Sequence, residues 1–179
     1  MVDDELSERI EEHLRRFFAG HSAEVCESGD PRLRVIRFAP GPRSGLWIWA
    51  TVGGFASRRD HPLEFVFFAA QPDERSVELL LLTANHHRDR ALGPGDVLPI
   101  GAAWQPGSAC DHLLLCLPHP FGPELAVCRT PDGPIHLFWS LPITSAEQAF
   151  RRRAGLEALE RHFAECAVEF WRADRPSAV

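Results

Sequence analysis

Apolar positions along this chain recur with two periods, one typical of helices and one typical of strands. Near the start, Leu6, Ile10 and Leu14 are spaced by four residues, which predicts an amphipathic helix over residues 3–19. Seven later segments are short, rich in aliphatic or aromatic residues and bordered by glycine or proline, so they are predicted to be strands. They are residues 32–38, 46–52, 62–69, 97–101, 112–117, 124–129 and 135–141.

Two more helical regions complete the pattern. Asp73 is the predicted N-cap of the first, a largely apolar helix that ends at His86-His87-Arg88. Pro142 is expected to end the last strand. Two overlapping capping-box patterns, Thr144 with Glu147 and Ser145 with Gln148, then mark the start of the C-terminal helices. The order helix, strands, helix, strands, helix predicts an α+β fold with a mostly antiparallel central sheet flanked by helices.

Length and composition indicate a single domain over residues 1–179, with a core of about residues 5–172. The final helix is predicted to reach Phe170, and the polar, proline-containing residues 173–179 are expected to form a frayed tail. No apolar run is long enough to cross a bilayer, and the acidic start lacks the features of a secretory signal. The cytoplasm is therefore the expected compartment.

Charge narrows the choice of partner. The net charge is −6, and all 19 cationic side chains are arginines, since the chain contains no lysine. An acidic chain of this kind is not expected to bind nucleic acid or an anionic membrane as its main partner. Its five cysteines are an odd number without paired spacing, so most are expected to be reduced and buried.

Cys110-Asp111-His112 is the one cluster that could carry chemistry. It could hold a thiol nucleophile or, together with His86 or His87, part of a metal site. Neighbouring histidines on a helix point about 100° apart, however, and the ligand spacing is irregular. The structural interpretation, in which Asp111 and Ser108 bond backbone amides of the preceding turn, is favoured.

Aromatic residues in loops suggest a different kind of site. Trp104 and Phe121 lie outside the predicted strands, so they could be exposed anchors of a binding surface. With Ser108, Asp111 and His112 they make up the predicted binding residues. No catalytic residue, metal or cofactor is predicted.

A series of short motifs runs through the chain from about Leu46 to Phe163. They are Ala50-Thr51-Val52-Gly53, His61-Pro62-Leu63-Glu64-Phe65, His86-His87-Arg88, Leu92-Gly93-Pro94-Gly95-Asp96-Val97, Trp104-Gln105-Pro106-Gly107-Ser108, Cys110-Asp111-His112-Leu113-Leu114-Leu115, Leu117-Pro118, Phe138-Trp139-Ser140-Leu141-Pro142-Ile143-Thr144 and Gly155-Leu156-Glu157-Ala158-Leu159-Glu160. In this order they resemble the suppressor of fused domain, in particular its single-domain bacterial members.

The resemblance implies an α+β fold and an interaction protein without known catalytic residues. The animal relative grips an extended peptide of a transcription factor between two lobes, and this chain is similar to the first lobe only. Bacterial members resemble immunity proteins of polymorphic toxin systems, which implies a toxin encoded by a neighbouring gene as the partner.

The predicted function is therefore a non-enzymatic protein-binding domain that neutralises or regulates a partner by covering its surface. Binding would use β-addition at an exposed sheet edge, or a groove beside residues 104–112. The alternative is a metal- or thiol-dependent enzyme that uses Cys110, His112 and His86 or His87. A domain that only self-associates, or has no partner, is a third hypothesis.

Overall fold

A computed structural model of the chain describes residues 2–179; Met1, part of the predicted domain, lies outside the described residues. The described part contains five α-helices, eight strands and one 3₁₀ turn, Gly54–Ser57. In chain order the helices and strands are α1 (Val2–Phe17), β1 (Ala23–Cys26), β2 (Arg34–Phe38), β3 (Trp47–Val52), β4 (Leu63–Ala69), α2 (Arg75–Asp89), β5 (Val97–Pro99), β6 (Cys110–Cys116), α3 (Gly122–Ala126), β7 (Val127–Thr130), β8 (Gly133–Thr144), α4 (Ser145–Ala154) and α5 (Leu156–Glu165). None of the helices in this part is long and apolar enough to span a membrane.

All eight strands belong to one sheet. Seven lie in the order β1-β2-β3-β4-β8-β6-β5, and β7 pairs with the beginning of β8. The β4–β8 pair is parallel, whereas every other pair among the described residues is antiparallel. The predicted α+β fold with a mostly antiparallel central sheet is confirmed.

Helices cover both faces of the sheet, so its central strands are buried on both sides. In β4, Phe65 and Phe67 point into one core cluster, while Val66 and Phe68 point into the other. The first cluster contains the apolar face of α2 and the loop before β6; the second contains α1, α3 and α5. This two-sided burial explains why β4 reads as a continuous apolar run and not as an alternating pattern.

Glu64 is the exception in that run. Its side chain is fully buried and accepts hydrogen bonds from Thr51 Oγ1 and from the backbone N–H groups of Gly53, Gly54 and Phe55. Burial raises the pKa of this carboxyl, and the four donors act in the opposite direction. Glu64 fastens the turn after β3 to β4.

Gly53 allows that turn to form. Its φ of +108° lies in the left-handed region, and a Cβ at this position would lie 2.1 Å from the carbonyl oxygen of Arg32. Any side chain would therefore force the backbone of the turn away from the segment that leads into β2.

Residues 124–129, predicted as one strand, divide between α3 and β7. The prediction is wrong for Glu124 to Ala126, which are helical, and correct from Val127 onward. β7 pairs with β8 only from Val127 to Thr130, so the preceding residues have no strand partner. A proline in the first turn of α3 instead favours a helix there.

The prediction that Pro142 ends its strand is also wrong. β8 continues to Thr144 and pairs there with β6, with Pro142 opposite Leu113. Proline lacks the N–H group that would bond to a neighbouring strand. A strand therefore tolerates proline where one of its sides has no neighbouring strand. β4 pairs with β8 only as far as Trp139, so at Pro142 no N–H group is needed on the β4 side of β8.

The C-terminal helices begin as predicted, but the last one ends earlier than predicted. The capping box is confirmed, because Glu147 N–H donates to Thr144 Oγ1 (3.1 Å) and Thr144 N–H donates to Glu147 Oε2 (2.8 Å). α5 stops at Glu165, whereas the apolar pattern predicted a helix as far as Phe170. Ala167, at a φ of +48°, breaks the helix, and the chain folds back with Phe170 still in the core.

Where the sequence predicts a frayed tail over residues 173–179, the structure has an anchored one. Arg175 is only 4% exposed and places both terminal guanidinium nitrogens 2.7 Å from the carboxylate of buried Glu147. Arg175 also donates to the Pro142 carbonyl at 2.9 Å, and Ala178 N–H donates to Glu147 at 2.9 Å. The tail thereby covers the part of β8 that β4 does not reach.

Candidate functional site

The predicted cluster at the start of β6 forms a polar patch at the surface. A β-bulge between Cys110 and His112 breaks the alternation of the strand, so Asp111 and His112 are both partly exposed. Asp111 Oδ1 lies 2.8 Å from His112 Nδ1, and the Ser145 hydroxyl donates to Asp111 Oδ2 at 2.6 Å. Ser108 accepts the Cys110 N–H at 3.1 Å and so shapes the turn before the strand.

Hydrogen bonding keeps this patch anionic. Partial burial acts to raise the pKa of Asp111, but the hydrogen bonds from Ser145 and His112 outweigh it, and the pKa is lowered. The carboxylate lies between the hydroxyl and the imidazole, whereas a catalytic triad places the imidazole in the middle. The arrangement is therefore suited to recognition through hydrogen bonds and charge, and it does not activate Ser145 as a nucleophile.

The two predicted aromatic anchors are not exposed. Trp104 is 1% exposed and its ring packs 5.3 Å from that of Phe67, so the loop is folded inward onto the core. Phe121 is half-buried, 5.1 Å from Phe68. These rings belong to core clusters on opposite faces of the sheet. Of the predicted binding residues, the structure therefore groups only Ser108, Asp111 and His112 at one surface.

The residues named for the enzymatic alternative do not form a site. Cys110 is fully buried, and burial raises the pKa of its thiol. His87 uses both ring nitrogens internally, donating from Nε2 to the His61 carbonyl (2.8 Å) and accepting the Leu92 N–H at Nδ1 (3.1 Å). Among residues 2–179, no three His, Cys, Asp or Glu side chains are grouped so that they could hold a metal ion.

Both edges of the sheet are open among the described strands. β5 is one edge, and its Pro99 lies opposite His112, so the polar patch adjoins this edge directly. β1 is the other edge, where Val25 is 51% exposed. Sequence reasoning missed β1, because its four residues carry too short a pattern to distinguish it from a loop.

A cavity of about 1500 Å³ lies between α1 and the turn after β3. Its walls carry carboxylates and arginines in similar numbers, and several are already paired. Glu11 binds Arg34 at 2.9 Å, and Asp3 binds Arg59. Because charges of the two signs are present in similar numbers, the cavity shows no preference for a charged ligand.

The profile of the suppressor of fused protein family matches residues 29–176, most of the chain. The chain belongs to the suppressor of fused family. The resemblance seen in the sequence motifs is thereby confirmed. No curated protein sequence matches the chain.

Solved structures agree with this assignment at the level of the fold. A protein from Neisseria gonorrhoeae, described as a suppressor of fused homolog, is 23% identical with a TM-score of 0.84, and the match covers 98% of this chain and 97% of that one. A chain of the crystal structure of the Sufu–Fu complex is 14% identical with a TM-score of 0.70 over 97% and 91% of the two chains. Suppressor of Fused from Drosophila is 14% identical with a TM-score of 0.67, and this chain spans 50% of its length.

Proposed function

We propose that this protein is a non-enzymatic binding domain that regulates or neutralises a protein partner by covering part of its surface. Support comes from membership of a family whose fold occurs in the Sufu–Fu complex. The observation that carries the proposal is the open edge of β5 beside the exposed Asp111–His112 pair. Of the side chains that could have indicated catalysis, Cys110 is buried and His87 uses both ring nitrogens in internal hydrogen bonds.

An open strand edge presents backbone N–H and C=O groups that an extended segment of a partner can pair with. At β5, Pro99 removes one donor, so the backbone pairing would be short and would depend on neighbouring side chains. Ser108, Asp111 and His112 supply a hydroxyl, a carboxylate and an imidazole at that place. Trp104 would contribute indirectly, by holding the loop that carries Ser108.

A toxin encoded by a neighbouring gene is the partner that we propose within this function. Neutralising a toxin by covering its surface would need no catalytic group. The net charge of −6 would favour encounter with a basic partner, because complementary charge raises association rates. Cytoplasmic residence belongs to the same proposal.

The test is a binding measurement between the full chain and the product of the adjacent gene. We expect a stable complex, with affinity reduced about tenfold by Asp111→Lys, because that change reverses a charge beside β5. Asp132→Lys is the matched control. Asp132 is exposed in the turn before β8, whereas Asp111 lies near the other end of β8. Both variants change the charge by the same amount.

Two results would contradict the proposal. The function itself fails if the adjacent gene product inhibits growth yet neither binds this protein nor is neutralised by it. The β5 surface fails, while the function stands, if Asp111→Lys and Asp132→Lys weaken the complex equally.

A further inference from the structure

A second cavity, of about 690 Å³, has arginines on three sides. Arg9 and Arg16 reach it from α1, Arg43 from the loop between β2 and β3, and Arg129 from β7. We call this cavity the arginine groove. Its size lies within the range of about 300–1000 Å³ that is typical of ligand sites.

Contacts between the walls hold the arginine groove in shape. His13 is buried and donates from Nε2 to the Leu125 carbonyl at 3.1 Å, which ties α1 to α3. Arg43 lies 4.3 Å from the centre of the Phe17 ring, which ties the β2–β3 loop to α1. A site whose walls are fixed in advance loses less entropy when a ligand binds.

The cations of the arginine groove are incompletely neutralised. Arg9 is 3.4 Å from Glu5, and Arg43 is 3.8 Å from Glu124, both on the exposed surface. Among residues 2–179, neither Arg16 nor Arg129 has a carboxylate within salt-bridge distance. The groove is thus a cationic site on a protein of net charge −6. The larger cavity, which shares Glu12 and Arg16 with the groove, has carboxylates and arginines in similar numbers.

We propose that the arginine groove binds an acidic segment of a protein partner. This inference rests on the proposed function, because it takes the ligand to be part of a protein. Arginine forks bind carboxylates with two parallel hydrogen bonds, which suits the side chains of an acidic peptide. Glu12 and Glu124 also line the groove and would repel a continuous phosphate backbone. Separate carboxylates on a peptide can instead be spaced to meet the arginines.

The test uses the full chain and a fluorescent hexaglutamate peptide, with anisotropy as the readout. We expect saturable binding that weakens as salt is added, because exposed ion pairs are screened. The double variant Arg16→Gln/Arg129→Gln should bind about tenfold more weakly, since it removes both unpaired cations. Arg152→Gln/Arg153→Gln is the matched control: both residues are exposed, neither has a carboxylate at salt-bridge distance among the described residues, and the change in charge is identical. Control and wild type should bind equally.

Three results would overturn the inference. One is no binding of hexaglutamate at millimolar peptide, and another is an equal loss in the two double variants. The third is that a DNA duplex binds more tightly than hexaglutamate, and that this DNA binding is lost in Arg16→Gln/Arg129→Gln but kept in the control variant. That result would assign the groove to nucleic acid. If the adjacent gene product still binds that variant with unchanged affinity, the groove is not its docking surface and the protein-binding function remains intact.

Discussion

The buried ion pair between Arg175 and Glu147 makes the tail a measurable part of the stability of the protein. Arg175→Met keeps most of the aliphatic volume and removes the guanidinium. Glu147 is then left fully buried with an uncompensated carboxylate. We therefore expect a large loss of stability from a change near the end of the chain, where a frayed tail would tolerate it.

The size of the loss follows from what Glu147 retains. Removing one partner of a buried pair costs about 3–5 kcal/mol. The N–H groups of Thr144 and Ala178 still donate to Glu147, which places the cost at the lower end, about 3 kcal/mol. At about 2–4 °C per kcal/mol for a domain of this size, the melting temperature should fall by roughly 6–12 °C.

Thermal unfolding followed by circular dichroism tests this value. Adding Glu147→Gln to Arg175→Met should recover more than half of the loss, because the amide oxygen can still accept the Thr144 N–H and no charge is left buried. Arg172→Met is the control. The carboxylates that Arg172 pairs with among residues 2–179, on Asp174 and Glu169, are exposed, so this variant should melt with the wild type. If Arg175→Met melts with Arg172→Met, the tail does not contribute as argued.

Three further outcomes are expected. Gly53→Ala should lower the free energy of unfolding, measured with denaturant, by about 3 kcal/mol or more. Gly101 has a φ of +80° and open space around it, so Gly101→Ala should lower it by about 1 kcal/mol. Equal losses would contradict the close approach at Gly53. Burial lowers the pKa of His87, so below about pH 6.5 the unfolded chain binds a proton that the folded chain does not, and the free energy of unfolding should decrease as the pH falls. Urea midpoints at about pH 7.5 and about pH 5.5 measure this decrease, and His87→Gln should reduce it. A thiol reagent at neutral pH should modify exposed Cys166 rapidly and Cys110 only on unfolding; a fast phase that persists in Cys166→Ser and is lost in Cys110→Ser would refute this.

The elements that could be predicted from the sequence are those whose pattern is local and repeated. A pattern within a few residues is enough to predict each of them: the amphipathic stripe of α1, the apolar runs of β3 and β4, and the capping box of α4. β1 is too short to show a pattern, and the strand character of Pro142 depends on a partner far along the chain. Whether a proline ends a strand depends on how far β4 extends beside β8, and nothing near Pro142 in the sequence records that.

The same distinction applies to the candidate sites. Cys110, Asp111 and His112 were easy to notice because they are adjacent, yet adjacency says nothing of burial, and the bulge sends Cys110 inward and the other two outward. The arginine groove could not be predicted in this way, because its cations come from three segments that only the fold brings together. Glu147 offered an intermediate case. The capping-box pattern with Thr144, three residues away, predicts its role at the start of α4. Its partner Arg175 follows 28 residues later in a segment with no periodic pattern, so this pair could not be predicted. A buried carboxylate needs either hydrogen-bond donors, as Glu64 has, or a counter-charge, as Glu147 has, and the local sequence does not indicate which of the two the fold supplies.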